Sequence, residues 1–383
     1  MKDKIYYWSP CLNPVGTMVS TINSANAINE YSEKYEACII NSCGEWNQYL
    51  DHFKKNSITV INLSFNYYNF LPKRGFIGSR ISYLIIFLIS FIPLLILLKK
   101  KKPKIIILHL ITSLPLILLN FFKFDTEFIL RISGYPKLNF LRRYFWTKIQ
   151  KKIKLITCPT IDLKKELELK NIFTKEKLKF LPDAILSSKK IISSRIKYEM
   201  NTNFENSKKI ILSVGRLTKQ KNFSYLIDEF KKFSICNDDY YLYIIGEGEE
   251  RKKLENKIDQ NNLQNKVYLL GHKKNVFAYM KKSEIFVLSS LWEEVGFAMV
   301  EAAINNCYLI CSDCPNGPSE FLNHGKNGIL FKNNLPNNLY EKLLYYKKLD
   351  QEKIHKDMII LKKNALKYSK YRHYLKINEI INQ

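Results

Sequence analysis

A chain of 383 residues with 46% hydrophobic content is long enough for two domains with separate cores, so a disordered chain is not the default expectation. Its 61 basic against 35 acidic residues leave a formal net charge of +26, so an anionic partner is expected: nucleic acid, a phospholipid surface or phosphorylated small molecules. The eight cysteines lie scattered in hydrophobic runs, and even Cys307, Cys311 and Cys314 lack a matching His/Cys pair, so small core residues in a reducing compartment are expected rather than structural zinc.

The N-terminus, MKDKIYYWSP, carries no apolar run of the kind a secretory signal needs. Strand-like runs follow: KIYYWS, ACIINS (Ala37–Ser42), ITVINLS (Ile58–Ser64), KIIILHL, FILRIS (Phe128–Ser133) and LITCPT (Leu155–Thr160). Helical or loop intervals separate most of them, which is the rhythm of a parallel α/β sheet. Between the third and fourth runs, ISYLIIFLISFIPLLILL (Ile81–Leu98) has the length of a short membrane span and ends in Lys99–Lys102. A transmembrane hairpin with the apolar segment Ile105–Phe122 would hold those lysines in the cytoplasm and put both flanks outside, away from cytosolic metabolites. We therefore expect a helix that lies against or dips into the inner leaflet, then a buried strand and another helix; an ordinary core helix is the alternative.

After a polar stretch, Ser187–Lys209, the rhythm restarts with IILSVG, YLYIIG, KVYLLG, EIFVLSS and CYLICS. Near-continuous apolar runs of this kind suit strands buried on both faces. The expected division is an N-terminal domain over 1–188, a second domain over 189–365 and a last helix over 366–383 that packs back on the first. Two doubly wound domains facing a central cleft would bind ligands at the carboxyl ends of their strands.

Chemistry-bearing residues fall at those strand ends. SVGRLTKQKNF (Ser213–Phe223) places the flexible Gly215 before Arg216 and Lys221, a planar fork and a mobile point charge suited to a diphosphate, with a helix-start loop of solvated basic residues as the alternative. In IIGEGEERKKLE, Gly246 and Gly248 permit a sharp turn and close approach to a ligand. LLGHKKNV offers backbone polar groups to a base edge, with a plain turn as the alternative. LWEEVGFAMVEAA holds Glu293 in a loop, then a helix start at Gly296 and Phe297 whose free N–H groups form an anion site, then Glu301 within the helix. These acids could merely complement the helix dipole, yet Glu301 is embedded in FAMVEAAI, where a solvated face is hard to find. CYLICSDCPNGPSEFLNHGKNGILF adds a rigid Gly317-Pro318 turn. NDD (Asn237–Asp239) precedes a strand and is not read as a metal site.

Taken in order, SVGR…K, GxG, Glu293-x7-Glu301, GP-x-E and HGKNGILF resemble family 4 of the retaining nucleotide-sugar glycosyltransferases, strongly over 210–331 and loosely before that. The resemblance implies the GT-B fold: two Rossmann-like, doubly wound α/β domains. It implies that Arg216 and Lys221 bind a donor diphosphate, that Glu301 holds the donor ribose, and that Glu293 meets the transferred sugar near its anomeric centre. It further implies no cofactor and no obligatory metal. In the N-terminal half it places Gly16 and Thr17 where the family has a glycine-rich loop, here with one glycine in place of a pair. His109 and Arg131 stand at the next strand ends, near where the family has a cleft histidine; a lone histidine after a strand also suits a structural role.

The expected activity is transfer of a sugar from a nucleoside-diphosphate donor to a saccharide acceptor, with retention. A basic, lipid-adjacent first domain points to a polyprenyl-diphosphate-linked acceptor in surface polysaccharide synthesis (O-antigen, capsule or lipopolysaccharide). A cytoplasmic protein held peripherally on the anionic inner face of the plasma membrane is expected. The alternative is a non-catalytic nucleotide-sugar-binding or membrane scaffold protein of the same fold. A nucleic-acid partner is not expected, because no binding motif interleaves the cations with aromatics. A dinucleotide-dependent dehydrogenase is disfavoured, because no GxGxxG follows an early strand.

Overall fold

The computed structural model describes residues 2–12, 16–73, 76–109, 113–136, 139–188, 192, 208–333 and 335–382. The polar stretch after Ser187 lies mostly outside the described residues. Chain contacts divide the molecule into unit 1, Met1–Ala184 with Lys370–Gln383, and unit 2, Ile185–Ser369.

Unit 1 is built on β1 (Asp3–Trp8), β2 (Tyr35–Asn41), β3 (Thr59–Asn62), β4 (Ile105–His109), β5 (Glu127–Arg131), β6 (Leu155–Cys158) and β7 (Leu178–Phe180). They form one parallel sheet in the order β3-β2-β1-β4-β5-β6-β7. Alternate residues of each strand face opposite sides. Tyr6, Trp8, Ile106, Leu108, Phe128 and Leu130 join a core with α3 (Phe76–Lys101), α4 (Ser113–Phe121), α5 (Phe140–Ile149) and α6 (Ile161–Leu169). On the other side, Ile5, Tyr7, Ile105, Ile107 and Ile129 pack under α1 (Gly16–Tyr31) and α2 (Leu50–Lys55). The last helix of the chain, α14 (Lys370–Asn382), belongs to that layer, where Ile377, Ile380 and Ile381 are buried and the helix lies along α1.

The apolar segment expected over Ile81–Leu98 is part of the longer α3. Its Ile86, Leu94, Leu97 and Leu98 are buried, while only 28% of its most apolar window is. It therefore packs one face on the sheet layer and leaves the other uncovered, unlike an ordinary core helix.

Unit 2 contains β8 (Lys209–Val214), β9 (Tyr240–Ile245), β10 (Val267–Leu269), β11 (Ile285–Leu288), β12 (Tyr308–Ser312) and β13 (Ile329–Phe331), all parallel, in the order β10-β9-β8-β11-β12-β13. α7 (Phe223–Ser234), α8 (Arg251–Gln260), α9 (Val276–Lys282), α10 (Phe297–Ile304), α11 (Gly317–Phe321), α12 (Asn338–Lys347) and α13 (Gln351–Leu366) complete it. The chain turns one way from β8, through β9 to β10, and then returns to place β11 on the other side of β8. The loops after β8 and β11 therefore leave the sheet at a topological switch point, where open α/β sheets bind ligands.

Candidate active site

The switch point of unit 2 is wired by side chains from loops far apart in sequence. Lys221, at the end of the loop after β8, forms an ion pair with Glu293, from the loop after β11. Ser290 Oγ donates to the same carboxylate oxygen at 2.5 Å. Ser289 Oγ donates to Lys221 O at 2.7 Å, and Leu291 N–H donates to Gln220 O at 2.8 Å. Ser290 is itself held, because its carbonyl accepts from Ser312 Oγ at 2.6 Å and from Asn333 Nδ2 at 2.6 Å. The Glu293 side chain is 8% exposed and that of Lys221 17%, so the pair sits in a partly dried environment where its charges are weakly screened.

Glycines make this arrangement possible. A side chain at Gly215 would meet Lys221 Cε at 3.0 Å, so the bare backbone lets the lysine stem run past. Gly246 has φ +148°, and a Cβ there would stand 1.9 Å from Gly215 O; one at Gly248 would stand 2.3 Å from Leu217 O. The close approach expected toward a ligand at these two positions is made to the chain itself, and it presses the loops after β8 and β9 together. Gly215 N–H donates to Ile245 O at 3.0 Å and Leu217 N–H to Glu247 O at 2.9 Å, completing the contact. Gly317 has the same task one strand over. Its absent side chain admits Val295 O, 2.4 Å from the position of a Cβ, while Asn316 Nδ2 donates to Glu293 O at 3.3 Å.

Arg216 points its exposed side chain to solvent and makes no ion pair among the described residues. α10 is preceded by Gly296, whose φ of +82° and lack of a side-chain cap leave the helix N-terminus to other partners. Phe297 and Glu301 are half-buried and one turn apart on α10, while Met299, Val300, Ala302 and Ala303 are buried. Glu301 thus occupies the narrow strip of α10 that the core does not take. Ahead of α9, the buried Asn275 Nδ2 has no partner.

Unit 1 treats its expected site residues differently. Gly16 opens α1 with open space around it, and Thr17 is buried on the same turn. Arg131, at the end of β5, is 2% exposed and fully engaged: Nη2 donates to Asp183 Oδ1 at 2.7 Å and Nη1 to Leu181 O at 2.5 Å. Ser20 Oγ also donates to that Asp183 oxygen. His109, at the end of β4, is 3% exposed with its Nδ1 unpartnered, and burial pushes its imidazole well below the usual value. The two residues line a cavity of about 10 Å³ with Ser24, Thr157 and His373, room for about one water. His373, from α14, accepts or donates through Nε2 to Ser24 Oγ at 2.7 Å and bonds Pro182 O through Nδ1 at 2.6 Å; burial holds its pKa down at about 4. Arg131 and His109, expected on the acceptor side, are thus buried beside His373 and Ile377 of α14, with Arg131 paired to Asp183.

Sequence reasoning missed the residues that hold the site together. Ser289 and Ser290 stand directly before LWEE and could have been flagged as short hydroxyl donors to a carboxylate three residues on. Asp183 and His373 gave no local signal. Among the described residues, no group of three or more His, Cys, Asp or Glu side chains is placed to hold a metal ion.

Residues 194–367 match the model of the family "Glycosyl transferases group 1". An uncharacterized glycosyltransferase of Methanocaldococcus jannaschii is 31% identical over 292 residues, 68% of this chain and 71% of that protein. A second relative, from Campylobacter jejuni, is 31% identical over 173 residues, 42% of this chain and 46% of its own length; it is an N-acetylgalactosamine-N,N'-diacetylbacillosaminyl-diphospho-undecaprenol 4-alpha-N-acetylgalactosaminyltransferase. The crystal structure of Anabaena HepE in complex with UDP and glucose superposes with a TM-score of 0.70 at 14% identity, covering 99% of each chain, a likeness of fold. The chain therefore belongs to the glycosyl transferases group 1 family and is a glycosyltransferase of GT-B fold.

Proposed function

We propose that this enzyme moves a sugar from a nucleoside-diphosphate donor to a saccharide acceptor with retention of anomeric configuration, without a metal ion, in the manner of family 4. The observation that carries the reading is the Lys221–Glu293 pair at the switch point of unit 2, with Arg216 exposed on the same loop and the start of α10, without a side-chain cap, after the loop that carries Glu293. Two cations and a helix N-terminus suit the charge that grows on a departing diphosphate, and stabilising that charge is the main demand such a reaction makes on its enzyme. In the step itself the anomeric C–O bond to the diphosphate breaks and its electron pair leaves with phosphate. The acceptor oxygen bonds to the same face, and its proton passes to the departing phosphate oxygen. Glu293 is assigned to the transferred sugar and keeps Lys221 aligned; Glu301 is assigned to the donor ribose hydroxyls.

A polyprenyl-diphosphate-linked saccharide is the proposed acceptor, in surface polysaccharide assembly, which is in line with the lipid-linked acceptor named for the Campylobacter relative. The uncovered apolar face of α3, followed by Lys99–Lys102, supports a peripheral position on the cytoplasmic face of the membrane, where such an acceptor resides. UDP-sugars come first as donors, because HepE was crystallised with UDP and glucose.

The test is nucleoside-diphosphate release across UDP-, GDP- and ADP-sugars, with membrane lipid extract as acceptor, with and without a chelator, for wild type and Lys221→Ala. Release from one donor, lost in the variant and indifferent to chelation, is expected. Silence with every donor overturns the reading and leaves a scaffold of the same fold.

A further inference from the structure

α3 and α5 stand on the same core. Leu94, Leu97 and Leu98 of α3 and Trp146 and Ile149 of α5 belong to one buried cluster, and α4 touches both helices between them. On its outer side α3 exposes Ile77, Ile81, Leu84, Leu88, Ile92 and Ile96, spaced three or four residues apart, with Leu88 at 63%. No charged residue interrupts Ile81–Leu98. That is one continuous apolar stripe on a helix face, larger than isolated surface leucines account for.

α5 repeats the pattern in miniature. Its first turns, FLRRYFW, expose Phe140 at 82%, Leu141 at 74% and Tyr144 at 64%. At 100° per residue, Phe140, Leu141, Tyr144 and Lys148 fall within one arc of the helix, opposite the buried Ile149 and Trp146 side. Arg143, Lys148 and Lys151 are exposed on the same segment, and neither α3 nor α5 contains an aspartate or glutamate. A protein partner would be expected to meet acids and cations interspersed; aromatic and aliphatic tips on a helix whose own charged residues are all cations are the chemistry of an anionic lipid surface, with rings at the headgroup level and cations at the phosphates.

Resting on the reading of α3 as a membrane-lying helix, we propose that α5 is a second membrane contact, inserting Phe140, Leu141 and Tyr144 into an anionic phospholipid bilayer while Arg143, Lys148 and Lys151 pair with its phosphates. Two separated contacts on unit 1 fix which of its faces meets the lipid, whereas a single line of contact along α3 leaves the whole unit free to tilt about that line.

The experiment is flotation of the full chain with phosphatidylcholine vesicles, with and without phosphatidylglycerol, for wild type, the α5 variant Phe140→Ser/Leu141→Ser/Tyr144→Ser and the α3 variant Leu84→Ser/Leu88→Ser/Ile92→Ser. A second readout places an environment-sensitive dye on Leu141→Cys in a Cys236→Ser background, since Cys236 is the one exposed cysteine of the eight. Wild type is expected to float with anionic vesicles and to fall away with phosphatidylcholine alone. The α5 variant should bind about a hundredfold more weakly from the loss of three inserted side chains, and the dye should blue-shift on vesicle addition. An α5 variant that binds like wild type, with a dye that stays wet, overturns the role of α5 while a binding loss in the α3 variant leaves α3 standing. Wild type that floats with neither kind of vesicle refutes the α3 reading and this one together. Wild type that self-associates without lipid, and is made monomeric by the α5 substitutions, assigns the face to a second copy of the chain and overturns the proposal.

Discussion

Removing Lys221 and removing Glu293 should not be equivalent. Lys221→Met leaves the Glu293 carboxylate, 8% exposed, with the Ser290 hydroxyl as its remaining side-chain donor. Stranding a buried charge typically costs about 3–5 kcal/mol. The remaining hydroxyl and the residual exposure reduce this to about 2–3 kcal/mol, or about 5–10 °C in the melting temperature of a unit this size. Glu293→Gln keeps the shape and strands Lys221 instead, which is more exposed and can swing its ammonium toward water, for about 1 kcal/mol or less. The double variant, with no charge to strand, should be more stable than Lys221→Met alone, giving a coupling of about 1–2 kcal/mol. Trp292, the single tryptophan of unit 2, adjoins Glu293 and is half exposed, so urea unfolding followed by its fluorescence in a background lacking Trp8, Trp46 and Trp146 reports this unit. Equal losses for the two single variants, or a double variant as unstable as their sum, would refute the account of the pair as a mutually neutralised, partly buried unit.

Other consequences follow from the same geometry. Gly246→Ala would put a Cβ 1.9 Å from Gly215 O at a backbone φ of +148°, so a loss of roughly 3 kcal/mol or more is expected, and an unshifted thermal melt would contradict it. Arg216→Ala should leave stability within about 0.5 kcal/mol, since the side chain is exposed, yet lower nucleotide release at least about tenfold; equal release by both proteins would remove Arg216 from the site. In unit 1, His373 and His109 are held neutral, chiefly by burial and secondarily by charges that include Arg131. The unfolded chain binds protons there from about pH 6.5 downward. Stability present above that pH is therefore lost as pH falls toward the folded value of about 4, by about 3 kcal/mol for His373 at about 1.4 kcal/mol per pH unit. Denaturation midpoints between pH 7 and 5 should slope less in His373→Gln than in wild type, and identical slopes would sink the assignment.

Much of the fold is legible in the chain because its central strands are buried on both faces. IIIL and YLIC are uninterrupted apolar runs, and each belongs to a fully buried strand. The two strands that sequence reading does not isolate, β7 and β13, are three-residue sheet edges, LKF and ILF, too short to carry a period. The unit 2 site is likewise readable, since its residues cluster in short loops directly after strands. His109 and Arg131 also follow strands, but their exposure depends on α14, more than two hundred residues later, and nothing near them in sequence announces that helix.

What the sequence determines by itself is therefore local: which segments are strands, where they end, and which glycines and charges stand at those ends. Tertiary structure alone decides who meets whom. Lys221 and Glu293 are 72 residues apart, and they pair because β11 enters the sheet beside β8 on the side away from β9. Arg131 finds Asp183 at the end of unit 1, beside α14, so the strand-end position leaves Arg216 exposed in one unit and buries Arg131 in an ion pair in the other. Hydrophobic periodicity encodes the strands because it acts over a few residues, whereas charge pairing and burial depend on distances that only the closed sheet establishes.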